Sequence, residues 1–194
     1  MNFWTQEQYQ QFAEVMMDYP LAYYCFEMLY WSGIREGELL ALLPNDLDLK
    51  AKTVSISKTF YQLKGKDIVG EPKTKKSNRI VVLPDFLCDE LQDYIEMIYD
   101  LHPTERLFPV TKSFLYRMMR LGCDQANLPH IRVHDLRHSH VSLLINMGFS
   151  AVAIADRVGH ESIDITYRYA HLFPSIQSEM GTKLNELRKE ENDV

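Results

Sequence analysis

The segment HDLRHSH, residues 134–140, places three histidines and one arginine within seven positions. On a helix, His134, Arg137 and His138 are spaced i, i+3 and i+4, so their side chains share one face. Arginine offers phosphate oxygens a planar fork of donors, and a neighbouring histidine can exchange a proton near neutral pH. The spacing indicates an anion-binding site. For His138 and His140, burial in the core is the better interpretation.

A metal site is the competing interpretation of the same helical face. Two histidines at i, i+4 can bind a transition metal, with His160 or His171 as the third ligand. However, the sequence has no HExxH motif and no cysteine or carboxylate at a ligand-like spacing, and Arg137 would repel a dication. Phosphate is therefore favoured over metal, and we expect neither a metal ion nor another cofactor.

The elements that position these side chains are predicted from the periodicity of apolar residues. Leu21–Tyr30 predicts a buried helix, and REGELLALL (35–43) predicts a second helix after it. The β-branched segments between residues 53 and 83 predict about three antiparallel strands. Further helices are predicted at 85–101, 112–126, 134–147, 151–158, 162–171 and 175–189. The fold class is therefore α+β, mainly helical with a small three-stranded antiparallel sheet.

The composition indicates one globular domain. The chain has 194 residues, of which 46% are hydrophobic, and this is enough for one substantial core. Its three cysteines lie far apart without a CxxC pair, so they indicate neither a disulfide framework nor a zinc site. We find no signal peptide or membrane span in the sequence and expect a cytoplasmic protein.

Charge is distributed unevenly along the chain. The net charge is −6, which by itself argues against binding a nucleic acid. Residues 50–80, however, contain nine basic and two acidic residues, a local charge of +7. One face could therefore bind a polyanion such as DNA, although a solvated lysine-rich hairpin would have the same composition. Charge alone does not decide between the two.

Five short motifs occur in order along the chain: SGIREGELLAL (32–42), PKTKKSNRIVVLP (72–84), HDLRHSH (134–140), RVGH (157–160) and YAHLFP (169–174). Together they resemble the motifs of the tyrosine recombinase family, the integrases of phages and transposons. The 23-residue spacing from Arg137 to His160 and the nine-residue spacing from His160 to Tyr169 also fit the family. The resemblance covers nearly the whole chain and implies the fold of the family's catalytic domain.

The resemblance also implies roles for individual residues. They are two phosphate-binding arginines (Arg35, Arg137), a hairpin lysine acting as general acid (Lys73), a histidine that takes or returns the tyrosyl proton (His134), the His/Trp position (His160), the nucleophile (Tyr169) and an acidic support (Glu38). Two arginines can neutralise the charge of a pentavalent phosphorane without a divalent metal. The basic residues Lys75, Lys76 and Arg79 are expected to contact DNA.

Two tyrosines compete for the role of nucleophile. Side chains two positions apart on a helix point about 200° apart, so Tyr167 and Tyr169 cannot both face one site. This geometry alone does not choose between them. The resemblance favours Tyr169, because of its spacing from His160 and the AHL that follows, and we expect Tyr167 to be a packing residue.

The function implied by the resemblance is integration or excision of a bacterial mobile element. The expected partner is double-stranded DNA, cleaved and rejoined through a 3′-phosphotyrosyl intermediate. Residues 1–194 would form a single catalytic domain without the family's core-binding and arm-binding domains. We expect this domain to be a monomer and the full-length protein a tetramer on DNA. The alternatives are a type IB topoisomerase and a DNA-binding regulator that has lost activity.

Overall fold

The computed structural model describes residues 2–63, 65–71, 75–98 and 101–169. The helices are α1 (Gln6–Met16), α2 (Pro20–Ser32), α3 (Glu36–Leu39), α4 (Asp85–Met97), α5 (Lys112–Gln125), α6 (Asp135–Asn146), α7 (Ala151–Val158) and α8 (Ile163–Tyr167). The strands are β1 (Leu47–Asp48), β2 (Thr53–Ile56), β3 (Thr59–Leu63), β4 (Lys66–Gly70) and β5 (Arg79–Val82). The predicted fold class is confirmed. Across these ranges, no helix has the length and apolar character needed to cross a membrane.

Helix α1 was not predicted, although its start carries a recognisable signal. The hydroxyl of Thr5 accepts a hydrogen bond from the backbone N–H of Gln8, and the Gln8 side chain accepts one from the backbone N–H of Thr5. This reciprocal capping satisfies two backbone donors that the first helical turn would otherwise leave unpaired. The buried face of α1 consists of Tyr9, Phe12 and Met16, at helical spacing.

Several predicted elements differ from the structure in length: the helix predicted at 85–101 corresponds to α4 (Asp85–Met97), and the one predicted at 162–171 corresponds to α8 (Ile163–Tyr167). The helix predicted over 35–43 ends at Leu39, because Pro44 disfavours helical geometry in the preceding residue and Leu43 is extended. The β-branched segment 53–60 contains β2 and the first residues of β3, and these two strands belong to different sheets. The helices predicted at 112–126, 134–147 and 151–158 agree with α5, α6 and α7 within one residue at each end. The helix predicted at 175–189 lies outside the described residues.

The strands form two antiparallel sheets. In the first, β2 lies between β1 and β5, with Thr53 opposite Val82. In the second, β3 and β4 form a hairpin that closes at Gly65, whose φ of 76° suits a residue without a side chain. In the chain, this hairpin lies between β2 and β5.

The hydrophobic core has a large and a small part. The large part joins helices α1, α2, α4 and α5 to the inner face of the three-stranded sheet. The small part contains Val141 and Ile145 of α6, Ile154 and Val158 of α7, and the ring of Tyr169. Burying each of these aliphatic side chains contributes about 1.5–3 kcal/mol. The small part therefore fixes the chain after α8 against α6.

A buried carboxyl group lies between α1 and α2. Glu27 is 4% exposed and accepts hydrogen bonds from the hydroxyl of Tyr9 at 2.7 Å and from Nε1 of Trp31 at 2.8 Å. Burial raises the pKa of Glu27 to about 7, and the nearby charge of Glu90 acts in the same direction, although both hydrogen bonds oppose the shift. The folded state therefore holds the proton of Glu27 more tightly than the unfolded chain does.

Candidate active site

Arg35 is held at the junction between α2 and α3 by three hydrogen bonds. Its backbone N–H donates to Glu38 Oε2 at 2.8 Å, and its Nη1 donates to Glu38 Oε1 at 2.7 Å. Its Nη2 donates to the carbonyl of Gly159 at 2.9 Å, which ties α3 to the end of α7. The side chain is still 36% exposed. The guanidinium is thus fixed in direction while part of it remains available to a ligand.

Glu38 is the buried carboxylate on which this arrangement depends. It is 2% exposed and also accepts from Arg79, through Nη1 at 3.1 Å and Nη2 at 2.9 Å. Burial favours the protonated form, but the hydrogen bond and charge of Arg79, together with the charge of Arg35, outweigh it and lower the pKa of Glu38. The carboxylate is therefore ionised at neutral pH and orients two guanidinium groups.

Arg79 occupies a different environment from the one we expected. Its side chain is only 7% exposed. Besides its bonds to Glu38, it donates from Nε to the carbonyl of Arg157 at 2.9 Å and from Nη1 to the carbonyl of Ser77 at 3.0 Å. A guanidinium whose donors are directed inwards has little left to offer a DNA phosphate. This geometry argues against the predicted DNA contact and favours a supporting role behind Arg35.

Arg137, on α6, is almost fully enclosed, with 4% of its surface exposed. Its Nη1 donates to the carbonyl of Gly33 at 2.7 Å, while its Nη2 is buried without a hydrogen-bond partner in the described part of the chain. Burial and the positive charge of Arg35 lower the pKa of Arg137, although a guanidinium remains charged at neutral pH. A buried cation with an unused donor is suited to an anionic ligand.

The carbonyls that hold the two arginines belong to glycines at helix ends. Gly33 ends α2 and Gly159 ends α7, with φ values of 69° and 67°. This left-handed conformation strains other residue types, and a Cβ on Gly33 would lie 2.4 Å from Cδ2 of His140. The glycines therefore terminate the helices and direct a carbonyl into the site.

Tyr169 follows α8, and its ring is 2% exposed. Its hydroxyl is hydrogen-bonded to Nδ1 of His138. Burial raises the pKa of Tyr169 to about 12, with Arg137 opposing the shift. Tyr167, by contrast, is 52% exposed and is not the packing residue that we expected. Of the two tyrosines, Tyr169 lies in the site.

The three histidines of the HDLRHSH segment have different partners. The side chain of His138 is 17% exposed and is hydrogen-bonded to Tyr169, whereas His140 is buried and accepts from Nε of Arg157 at 3.1 Å. His134 contacts the ring of His138 edge-on, with centroids 5.1 Å apart. Burial, followed by the charge of Arg137, lowers the pKa of His134.

His160 follows the C-terminal end of α7 and is buried. Its Nδ1 is 2.8 Å from Oγ1 of Thr166, a partner that sequence reasoning missed and for which no motif gave a signal. Burial lowers the pKa of His160 to about 3, and the charges of Arg137 and Arg35 add to the effect. The imidazole is therefore neutral at pH 7 and can offer or accept a hydrogen bond without charge.

The remaining predicted residues are placed less completely. Lys73 and the side chain of Lys75 lie outside the described residues. Lys76 is exposed at a cleft of about 410 Å³ that is also lined by Gly159 and His160. A second cleft, of about 710 Å³, opens beside Arg35, and its lining includes Glu38, Thr59, Phe60, Ser77, Lys112 and Ile165. Across the described ranges, no three His, Cys, Asp or Glu side chains are grouped as metal ligands.

Comparison with known proteins identifies the family. The model of the phage integrase family matches residues 2–175. This chain belongs to the phage integrase family. Among its relatives, the ICEBs1 integrase of Bacillus subtilis is 33% identical over 96% of this chain, and the integrase of Staphylococcus phage L54a is 30% identical over 80% of it. The chain spans about half the length of these integrases, 55% and 49% respectively.

Solved structures of integrases share the fold. The Tn1549 transposon integrase in complex with circular intermediate DNA superposes with a TM-score of 0.80 at 20% identity, covering 96% of this chain and 67% of that one. The catalytic domain of the bacteriophage HP1 integrase superposes with a TM-score of 0.64 at 21% identity, covering 97% of each chain. The fold around Arg35 and Tyr169 is thus that of an integrase.

Proposed function

We propose that this chain is the catalytic part of a site-specific tyrosine recombinase, which cleaves and rejoins DNA strands during integration or excision of a mobile element. The proposal is supported by the match to the phage integrase family and by the charge of Arg137, which acts on both Arg35 and Tyr169. A phenol hydroxyl, a partly exposed guanidinium and a buried guanidinium with an unused donor are the groups that attack on a phosphodiester requires.

The residues would share the reaction as follows. The oxygen of Tyr169 attacks phosphorus, forming a 3′-phosphotyrosyl bond and releasing the 5′ oxygen of the broken strand. Arg35 and Arg137 neutralise the added charge of the phosphorane, and His160 donates a hydrogen bond to the same oxygens. Lys73 is our predicted general acid for the 5′ oxygen. Attack by that oxygen on the phosphotyrosyl bond rejoins the strand without ATP.

Double-stranded DNA is the partner that this chemistry requires. The basic composition of residues 50–80 supports it, as does the Tn1549 integrase, which was solved with DNA. A tetramer on DNA in the full-length protein, and a monomer for the domain alone, remain our predictions. So does a cytoplasmic location, which the free and buried thiols of Cys25, Cys88 and Cys123 support.

Trapping of a covalent adduct tests the function. The chain is incubated with a pool of nicked suicide duplexes whose core sequence is randomised, and adducts are separated under denaturing conditions and sequenced. We expect adducts enriched in one sequence for the wild type and for Tyr167→Phe, a matched control, and none for Tyr169→Phe. Adduct retained by Tyr169→Phe would disprove the assignment of the nucleophile.

The same preparation distinguishes the alternatives. Relaxation of supercoiled plasmids without sequence preference among the adducts would favour a type IB topoisomerase. Binding of the duplexes without any adduct would favour a regulator that has lost activity. Neither result is expected, because the site retains both arginines, His160 and Tyr169.

A further inference from the structure

The hydroxyl of Tyr169 is bound by a histidine other than the one that the motifs suggested. The resemblance implied that His134 takes or returns the tyrosyl proton. In the structure the hydroxyl is hydrogen-bonded to Nδ1 of His138, and the two rings lie with centroids 5.8 Å apart. His134 contacts the ring of His138 instead. We propose that His138 is the general base for Tyr169, and this inference rests on the function proposed above.

The surroundings of His138 suit a base that acts through Nδ1. Its other nitrogen, Nε2, lies 3.8 Å from Oδ1 of Asp135, one turn earlier on α6. Asp135 is 1% exposed and is itself fixed by Arg132, whose Nη2 donates to Oδ1 at 2.8 Å. A carboxylate near Nε2 favours the tautomer with its proton there, which leaves the Nδ1 lone pair for the phenol. The same carboxylate stabilises the imidazolium after proton transfer.

The protonation states at neutral pH fit this assignment. Burial and the neighbouring His134 lower the pKa of His138 to about 4, so the ring is neutral and can accept a proton. Burial raises the pKa of Tyr169 to about 12, so the phenol keeps its proton at neutral pH and has to lose it while it attacks. The groups that act on His138 are its helix neighbours and residues packed against them: Arg132, His134, Asp135, Arg137, His160 and Tyr169.

The proton balance of the step is complete. The hydroxyl proton of Tyr169 moves to Nδ1 of His138 as the phenol oxygen forms its bond to phosphorus. The bond from phosphorus to the 5′ oxygen breaks, and that oxygen receives a proton from the general acid. In rejoining, the acid recovers its proton from the 5′ hydroxyl, and the imidazolium of His138 returns its proton to the leaving phenolate.

A purely structural hydrogen bond is the opposing interpretation, because the ring of Tyr169 also packs in the small core. Rates of adduct formation at several pH values separate the two roles. If His138 is the base, His138→Ala should react about 10²–10⁴-fold more slowly at neutral pH. Its rate should then rise about tenfold per pH unit, following the phenolate fraction, while the wild-type rate stays nearly constant.

Three variants sharpen the experiment. His138→Asn keeps an acceptor near Nδ1 but no useful base, so it should show the same pH slope with the core less disturbed. His134→Asn should be slower than the wild type without acquiring that slope. A fluorinated tyrosine at position 169, whose phenol is more acidic, should restore much of the rate of His138→Ala. A structural role predicts a pH-independent loss and no such restoration.

A measurement without DNA completes the test. In the ¹⁵N NMR spectrum of the ring nitrogens of His138, Nδ1 should report an accepted hydrogen bond that disappears in Tyr169→Phe. An unchanged Nδ1 signal would overturn the inference, as would a pH-independent rate for both His138 variants when the wild type forms adduct. Absence of adduct from the wild type would instead overturn the proposed function, and with it any role for a base.

Discussion

Replacing Arg79 by methionine would remove a cation that neutralises a buried carboxylate. The side chains of Arg79 and Glu38 are 7% and 2% exposed. Methionine has a comparable length but no donor, so Glu38 would keep Arg35 as its charged partner, and the carbonyls of Ser77 and Arg157 would lose the hydrogen bonds that Arg79 donates. We expect this substitution to act first on the stability of the fold.

The size of the effect follows from burial. Removing one partner of a buried ion pair costs about 3–5 kcal/mol, whereas an exposed pair contributes about 0–1 kcal/mol. Because Arg35 still compensates part of the charge of Glu38, we expect Arg79→Met to lower the free energy of unfolding by about 3 kcal/mol at neutral pH. Arg79→Lys keeps the charge without the planar fork, so its free energy of unfolding should lie between those of the wild type and Arg79→Met.

The loss should depend on pH. Burial would raise the pKa of Glu38, but Arg79 and Arg35 outweigh it, so the folded pKa is lowered. The stabilisation is therefore fully present above the unfolded pKa of about 4.3 and disappears as the pH falls through the lower folded value. The difference between the wild type and Arg79→Met should shrink as the solution is acidified.

Urea denaturation followed by circular dichroism, at several pH values, measures this difference. Arg120→Met is a matched control, because Arg120 is 80% exposed and 4.0 Å from Asp124, and it should change the free energy of unfolding by less than about 1 kcal/mol. If Arg79→Met lowered the free energy of unfolding by no more than Arg120→Met does, the reasoning would be refuted. If Arg79→Met weakened DNA binding without changing stability, the result would support the DNA contact that we first expected for Arg79.

Two further substitutions test other parts of the structure. Gly33→Ala should lower the free energy of unfolding by more than Gly148→Ala does. At both positions φ is positive, and placing alanine in this conformation costs about 1–2 kcal/mol. Only at Gly33 would the added Cβ also meet His140. Equal thermal shifts would contradict this. Because burial raises the folded pKa of Glu27, the wild type should lose stability on the order of 3 kcal/mol as the pH rises from about 4.3 to about 7. Glu27→Gln should abolish this pH dependence. If urea titrations of Glu27→Gln showed the same pH dependence of stability as the wild type, Glu27 would be excluded as its cause.

Local patterns predicted much of the fold. The helical periodicity around Arg137 gave α6 within one residue at each end, and the chain from Lys112 to Val158 was equally clear. Helix α1 was missed because its polar glutamines obscure the buried stripe, although the Thr5–Gln8 pair was a readable start signal. The predicted three strands did not reveal the break at Ser57, because alternation of side chains continues where the chain passes from one sheet to the other.

The sequence by itself determined which chemical groups are present and in what order, since the motifs containing Arg35, Arg137 and Tyr169 are local. Only the tertiary structure decided what each group contacts. The partner of Arg79 is a carboxylate 41 positions away, and that of Tyr169 is an imidazole 31 positions away. Such contacts depend on how helices and strands pack, because burial sets both the direction of a guanidinium and the proton affinity of a phenol or an imidazole. The sequence therefore predicted a DNA contact for Arg79 and gave no sign of its ion pair with Glu38.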